Sequence, residues 1–262
     1  MLNKQEIEDY KTFKNSYQIE KDYLQDMLLY EIFSKRYMTG SFVFKGGTAL
    51  SKFYYSSRFS EDLDFTFTES EFDFDVFSKD LAQIMSSFMY KSELSEKPTI
   101  NKFGTVTTEA IIRGPRFSGK SSTLQHIRLE INTRSVLKYK PVPMVRNPRY
   151  KDIPQYIVLV MDSREILAEK VRALMSKKRR HKERDLYDIY FLFSKGINLD
   201  KKITKEKLND SKMEFSKNAL MENIDDIRET WGQLLPFIDQ MSFEYAYVKS
   251  FVVNGLEKAG LL

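Results

Sequence analysis

The sequence contains no cysteine and only two histidines, His126 and His181. Without cysteine the protein cannot form a disulfide framework, a thiolate metal site or a cysteine nucleophile, and two histidines are too few for a histidine-rich zinc site. Any metal ion would therefore have to be bound by carboxylates. No apolar run approaches about 18 residues, and residues 1–20 carry charges throughout. We therefore expect neither a membrane span nor a signal peptide, and we expect a cytoplasmic protein.

Glycine and proline are also scarce, with 10 and 7 residues among 262. Together with 42% hydrophobic and 30% charged residues, this scarcity excludes disordered, fibrous and low-complexity proteins and is typical of an ordinary globular protein. Prolines cluster between positions 141 and 154, which marks an irregular loop and the best candidate for a domain boundary. We predict an α/β domain over residues 1–160 and an α-helical domain over residues 161–262.

The hydrophobic pattern predicts the elements of both domains. A helix at the start of the chain, over 17–36, leads into strand, glycine turn and helix between 41 and 55. Alternating or apolar runs predict further strands over 63–67, 126–132 and 156–160, and helices at about 203–215, 219–235 and 242–258. We therefore expect an α/β (α+β) fold, a mixed sheet flanked by helices, with a second, helical domain. The 15 tyrosines and 20 phenylalanines mostly follow these periodicities, which favours core packing over base stacking.

The basic residues are concentrated in two stretches, although the formal net charge is only +5. Residues 134–151 hold six basic residues and no acid, and residues 170–184 hold eight basic residues against Glu183 alone. A single run of this kind is as often a solvated face as a binding surface. Two runs flanking a candidate catalytic core favour a polyanionic substrate such as nucleic acid.

Asp62 and Asp64 are the strongest candidates for a metal site. The period of a strand places both carboxylates on one face, roughly 6.5–7 Å apart along the backbone. Two like charges so placed repel, and Mg²⁺ would remove the conflict while leaving positions for substrate phosphates. Glu130, on the polar face of its own predicted strand, is the natural third ligand if the two strands pair, or it could take a proton from an attacking hydroxyl. The alternative is a solvated carboxylate paired with Arg128.

A candidate phosphate cradle lies about fifteen residues before this acidic pair. Gly46 and Gly47 allow the backbone to approach a ligand closely. The free N–H groups at the start of the following helix, together with the Thr48 hydroxyl, can hold phosphate oxygens. Each signal is weak alone, but a glycine turn followed by an acidic strand favours a nucleotide site.

Five motifs between residues 41 and 194 resemble, in type and order, those of the AbiEii/AbiGii toxin family of nucleotidyltransferases. They are KGGTAL at 45–50, RFSEDLD at 58–64, LEIN at 129–132, EKVRAL at 169–174 and RDLYD at 184–188. The resemblance implies a polymerase-β-type nucleotidyltransferase fold, Mg²⁺ dependence and transfer of a nucleotide from an NTP, for some members to a tRNA acceptor end. It also implies a toxin of a toxin–antitoxin or phage-defence system, and therefore a cognate antitoxin encoded nearby.

The resemblance also implies site residues. Those that would bind the nucleotide and its phosphates are Lys45, Gly46, Gly47, Thr48, Ser60 and Lys170. Those that would act in catalysis are Asp62, Asp64, Lys170 and Asp185, with Asp62 and Asp64 as metal ligands. Glu130 is assigned as a metal ligand from its strand position, since the third carboxylate of the family is often aspartate. The residue pattern itself leaves alternatives open, since Lys170 could be a lysine whose amine reaches solvent and Asp185 could merely cap a helix.

A second string, Gly114 to Ser121, matches the P-loop pattern of NTPases. A P-loop requires a helix directly after Lys120, whereas the alternation of Ile127, Leu129 and Ile131 predicts a strand. We therefore interpret 113–123 as a polar hairpin connection. A P-loop NTPase and a non-catalytic RNA-binding module stay as alternative functions.

Overall fold

The computed structural model describes residues 1–176, 181–238 and 244–262, and the chain divides into two compact units. The first unit consists of Met1–Tyr55, Phe59–Val136 and Pro141–Val160. The second consists of Ser56–Arg58, Leu137–Lys140 and Met161–Leu262. Two short segments from the first 160 residues thus belong to the second unit.

The first unit contains five helices and eight strands among its described residues. The helices are α1 (Lys4–Glu8), α2 (Ser16–Ser34), α3 (Arg36–Ser41), α4 (Gly46–Phe53) and α5 (Phe74–Ser87). The strands are β1 (Phe42–Lys45), β2 (Leu63–Phe67), β3 (Ser92–Leu94), β4 (Thr99–Ile100), β5 (Thr105–Ile112), β6 (Gln125–Asn132), β7 (Val142–Arg146) and β8 (Tyr156–Val160).

All eight strands form one mixed sheet in the order β3-β5-β6-β2-β1-β8-β7, with β4 paired to β5. The pairs β1–β2, β5–β6 and β7–β8 are antiparallel, whereas β2 pairs with β6 and β1 with β8 in parallel. The central position of β2 explains its burial, since Phe65, Thr66 and Phe67 are all buried. The predicted mixed sheet is confirmed, but the expected polar face of β2 is accessible only at its start. The prediction that the aromatic residues mostly pack in the core is supported by Phe77 and Phe88, which are both buried.

Helix α2 buries polar residues as well as its apolar stripe, which the sequence pattern did not predict. Lys52 Nζ lies 2.6 Å from Asp22 Oδ1 and 3.3 Å from Asp26 Oδ2. Arg146 donates to both carboxylate oxygens of Asp26, at 2.9 and 2.7 Å. Burial alone would raise the pKa of Asp26, but Lys52 and Arg146 outweigh it and hold that pKa below its usual value. These ionic contacts compensate the cost of burying charge.

The second unit is helical in its described residues. Its helices are α6 (Ser163–Met175), α7 (Lys182–Ser194), α8 (Lys201–Asp210), α9 (Lys217–Thr230) and α10 (Tyr245–Lys258). Helix α8 ends earlier than predicted because Lys212 takes a left-handed backbone, with φ of 55°. Helix α9 also ends early, and a 3₁₀ segment, Trp231–Phe237, follows it. Across the described parts of the chain, no helix combines the length and apolar character that spanning a membrane requires.

Candidate active site

The turn between β1 and α4 is shaped to admit a carboxylate. Gly46 opens α4 with a left-handed backbone, φ 77°, which glycine adopts without steric cost. A Cβ atom built on Gly46 would lie 2.2 Å from Oδ2 of Asp64. The Asp64 carboxylate therefore occupies the space that any larger residue at position 46 would fill.

The segment that leads into β2 is fixed by two buried side chains. The hydroxyl of Thr48, a residue only 1% exposed, donates to the main-chain carbonyl of Asp62 at 2.5 Å. Gln25 Nε2 donates to the carbonyls of Ser60 and Glu61 at 3.0 and 2.9 Å. Thr48 thus joins the start of α4 to the acidic segment, and its expected contact with phosphate stays a prediction. Gln25 was missed because nothing local marks a glutamine as buried.

The strand register brings the predicted residues of the first unit together. Lys45 pairs with Asp64 across β1 and β2, and Asp64 pairs with Glu130 across β2 and β6. Residues paired in register point to the same face, so Lys45, Asp64 and Glu130 form one row across three strands. Asp62 lies just before β2 and is exposed. The condition set for Glu130, that its strand lies beside that of the acidic pair, is met.

The side chain of Glu130 is directed to a neighbour on its own strand. Arg128 Nη2 donates to Glu130 Oε2 at 3.1 Å, as in the alternative considered from the sequence. Within the described residues, no three histidine or carboxylate side chains are already grouped to hold a metal ion. The donor atoms available at Asp62, Asp64 and Glu130 are all carboxylate oxygens, which is the chemistry that Mg²⁺ prefers. The residues therefore fit a magnesium site by donor type, and Glu130 as third ligand stays a prediction.

Lys170 and Asp185, which the resemblance places in the site, meet in the second unit. Lys170 Nζ lies 2.8 Å from Asp185 Oδ1 and 2.7 Å from Asp188 Oδ2. Arg58 binds Asp188 through two hydrogen bonds, both at 2.8 Å. Burial lowers the pKa of Lys170, but the carboxylates of Asp185 and Asp188 outweigh it and leave that pKa above its usual value. Lys170 is thus a fully charged amine, held by two carboxylates rather than directed to solvent.

Arg58 and Asp188 were missed as members of this cluster, although both lie in motifs quoted above. Burial would raise the pKa of Asp188, but Arg58 and Lys170 reverse the shift and lower that pKa. The cluster of Arg58, Lys170, Asp185 and Asp188 is electrically balanced, with two cations and two anions. Balanced charge with paired hydrogen bonds is the condition under which buried ions are tolerated.

We expect Asp188→Asn to lower the free energy of unfolding by about 3–5 kcal/mol, because it leaves a buried cation without its partner. The exposed pair of Lys249 and Asp225 provides the control, since Asp225→Asn should cost less than about 1 kcal/mol. Urea denaturation measures both. A loss below about 1 kcal/mol for Asp188→Asn would contradict the prediction.

The same cluster has a predictable pH dependence. The pKa of Asp188 is lower in the folded protein than in the unfolded chain, where it is about 3.9. Its contribution to stability is therefore complete above about pH 5 and is lost as the pH falls through the lowered pKa. Asp188→Asn should remove that part of the acid sensitivity. If the free energies of unfolding of the wild type and of Asp188→Asn fell in parallel between pH 5 and pH 2, the assignment of this pH dependence to Asp188 would be contradicted.

The P-loop string forms the connection between the antiparallel strands β5 and β6, as the sequence predicts. Lys120 is followed by a three-residue 3₁₀ turn, Ser121–Thr123, rather than by an α-helix. The loop instead binds a carboxylate from its own chain, since the Arg116 N–H donates to Glu20 at 2.7 Å, as does Nε2 of Gln125 at the start of β6. The phosphate-binding arrangement of a P-loop is therefore not formed.

Much of the first basic stretch is already neutralised within the protein. Arg146 is bound to Asp26, Lys138 lies 3.2 Å from Asp210, and Lys151 lies 2.6 Å from Glu6. Residues 177–180, the densest part of the second stretch, lie outside the described residues. The argument for a polyanionic partner from the first stretch is therefore weaker than the sequence suggests.

The chain matches the sequence model of a family described as nucleotidyl transferase AbiEii toxin, type IV toxin–antitoxin system, over residues 27–247. No curated protein matches it. Among solved structures it is similar to a proposed nucleotidyltransferase from H. pylori (18% identity, 94% of this chain and 98% of that chain, TM-score 0.59). It is also similar to JHP933 from Helicobacter pylori (16%, 95% and 95%, 0.52) and to MenT4, a nucleotidyltransferase toxin from Mycobacterium tuberculosis H37Rv (18%, 93% and 94%, 0.54). Because the sequence identities are only 16–18%, these similarities establish that the chain shares the fold of the three structures, and nothing more.

Proposed function

Because the chain belongs to the AbiEii family of nucleotidyltransferase toxins, we propose that it transfers a nucleotide from an NTP to a hydroxyl at the 3′ end of an RNA, with tRNA as the acceptor class. Membership makes it a nucleotidyltransferase and the toxin of a type IV toxin–antitoxin system, with a cognate antitoxin. The dependence on Mg²⁺, the RNA acceptor, a role in phage defence and a cytoplasmic location are part of the proposal.

The observation that carries the proposal is the fit of the Asp64 carboxylate against Gly46. It places an anionic, oxygen-donor side chain at the start of α4, where the free N–H groups attract phosphate. A carboxylate this close to an anion-binding turn repels the phosphate that the turn attracts, unless a positive charge lies between them. A cation on Asp62 and Asp64 would provide that charge, which supports a metal-dependent nucleotide site.

In the proposed reaction the acceptor hydroxyl attacks the α-phosphorus of the NTP in line with the leaving group. The new phosphorus–oxygen bond forms, the bond to the oxygen bridging to the β-phosphate breaks, and its electron pair leaves with pyrophosphate. The hydroxyl proton passes to a base, for which Glu130 and water are the candidates. Bound Mg²⁺ would supply positive charge to the phosphoryl oxygens during transfer.

The chain's own residues would bind and orient the substrates. Gly46 and Gly47 let phosphate oxygens reach the N–H groups at the start of α4, while Lys45, in the same row as Asp64, would donate to the phosphates. Thr48 fixes the Asp62 main chain, so that the acidic pair keeps its position as charge shifts. The roles that the resemblance implies for Ser60, Lys170 and Asp185 stay predictions.

The test is incubation of the purified protein with each α-³²P-labelled NTP and total RNA, with Mg²⁺ or with excess EDTA. We expect labelled RNA with at least one NTP, and none with EDTA. Calorimetry should show NTP binding that requires Mg²⁺. Absence of both labelling and NTP binding would favour a non-catalytic RNA-binding module.

Lys120→Ala separates the proposal from the P-loop alternative. Because Lys120 lies in a hairpin that already binds Glu20, we expect this variant to transfer nucleotide within about twofold of the wild type. NTP turnover that disappears with Lys120→Ala, while Asp64→Ala keeps it, would reverse the choice.

A further inference from the structure

The ion pair between Arg128 and Glu130 lies on the face of the sheet that carries the acidic residues. The two residues are two positions apart on β6, so their side chains share a face. Both are about half exposed, Arg128 at 51% and Glu130 at 41%. Exposed ion pairs of this kind contribute little to stability and exchange partners easily. A contribution to stability therefore does not account for the ion pair between Arg128 and Glu130.

The register of β6 places this pair beside the acidic residues. Leu129 pairs with Leu63 and Glu130 with Asp64, so Arg128 lies level with Asp62. Glu130 thus has two possible partners, the guanidinium of Arg128 on its own strand and a cation shared with Asp62 and Asp64 on the next. Arg128 already binds its Oε2 atom, so a cation on the neighbouring strand would compete with Arg128 for this carboxylate.

The strand order also separates Arg128 from the glycine turn. The order β6-β2-β1 places the acidic residues of β2 in the middle, with Arg128 on one side and the turn after β1 on the other. Neighbouring strands are about 4.8 Å apart, so Arg128 lies roughly 10 Å from the turn. If the glycine turn binds the triphosphate, Arg128 is on the side left for the acceptor.

We propose that Arg128 binds a backbone phosphate of the acceptor RNA and is held by Glu130 until Glu130 becomes a ligand of the divalent cation. Arginine suits this role because its planar, permanently charged group forms paired hydrogen bonds with phosphate oxygens. The exchange makes RNA binding depend on the cation, so that an acceptor is bound only when the site is ready for transfer. The inference rests on the metal site of the proposed function.

Two binding measurements test the exchange without any nucleotide transfer. The first is the affinity of the protein for Mn²⁺, measured by electron paramagnetic resonance. The second is its affinity for a labelled oligouridylate in the absence of NTP. We expect Arg128→Gln to bind Mn²⁺ about three- to tenfold more tightly than the wild type, because its competitor is removed. We expect Mn²⁺ to raise the RNA affinity of the wild type at least about fivefold and that of Arg128→Gln hardly at all.

Two comparisons exclude simpler explanations. Arg113→Gln, which removes an arginine from another exposed pair of the same unit, with Glu93 at 3.7 Å, should behave as the wild type. In a Glu130→Gln background, Arg128→Gln should no longer change Mn²⁺ affinity, since the competition acts through Glu130. If Arg128→Gln still raised Mn²⁺ affinity in the Glu130→Gln background, a general charge effect on Asp62 and Asp64 would explain the result in place of the proposed exchange.

The outcomes separate this inference from the function on which it rests. A wild type that binds no Mn²⁺ overturns both the metal site and the exchange. A wild type that binds Mn²⁺, with Arg128→Gln binding it equally or more weakly, overturns the exchange alone. Mn²⁺ that raises RNA affinity equally in both proteins overturns the role of Arg128 in binding the acceptor.

Discussion

Asp64→Asn is expected to reduce nucleotide transfer by at least about two orders of magnitude, the scale of losing a main electrostatic element of an active site. The change keeps the size of the side chain, so the fit against Gly46 is preserved, but it removes the charge that would bind the cation. Transfer of labelled nucleotide to RNA measures the effect. Because toxicity would depend on the same chemistry, expression of the wild type should arrest growth and expression of Asp64→Asn should not.

Glu71→Gln is the matched control for Asp64→Asn. Glu71 is an exposed acid shortly after β2, so its loss changes the net charge equally without touching the row of Lys45, Asp64 and Glu130. Its transfer rate should stay within about twofold of the wild type. Wild-type transfer by Asp64→Asn would refute the assignment of Asp64, and equal growth arrest by both proteins would point to a toxic effect without catalysis.

The parts of the site that were predictable from the sequence are those set by local structure. An alternating run following a glycine turn and helix specifies β2, and the period of a strand then orients Asp64. The hairpin at 113–123 was predictable for the same reason, because the alternation of Ile127, Leu129 and Ile131 leaves no room for the helix that a P-loop requires after Lys120. Such signals depend on neighbours a few positions away, and the sequence displays them directly.

Contacts between residues distant along the chain could not be predicted. Arg58 and Asp188 are 130 positions apart, and Arg146 and Asp26 are separated by 120. Each of these residues has the appearance of a surface charge in sequence, because only the tertiary fold supplies the partner that makes its burial tolerable. The basic stretch at 134–151 contains one such residue, since Arg146 belongs to a buried ion pair.

Helix α4 is fixed at both ends, and this limits how the site can accommodate a larger residue at position 46. At its start Thr48 donates to the Asp62 carbonyl. At its end Lys52 is bound to Asp22 and Asp26, and Arg146 Nη1 donates to the Lys52 carbonyl at 2.9 Å. A helix held in this way cannot shift to relieve a collision at Gly46, so the Asp64 side chain must move instead.

Gly46→Ala should therefore abolish transfer almost as completely as Asp64→Asn, by about two orders of magnitude. The added Cβ would lie 2.2 Å from Asp64 Oδ2, far inside van der Waals contact, and it expels the carboxylate from its position. The same substitution also forces alanine into a left-handed backbone, which costs about 1–2 kcal/mol wherever it occurs. The loss of stability alone would not affect transfer at a temperature where the protein stays folded.

Gly119→Ala isolates the backbone effect from the collision. Gly119 has a similar left-handed backbone, with φ of 88°, but a Cβ there meets no atom within 4 Å. Thermal unfolding should show Gly119→Ala destabilised by the backbone cost alone and Gly46→Ala by at least as much, while only Gly46→Ala loses transfer. Equal activity of the two variants would mean that Asp64 works without its place against the glycine, and the geometry on which the proposed metal site rests would be wrong.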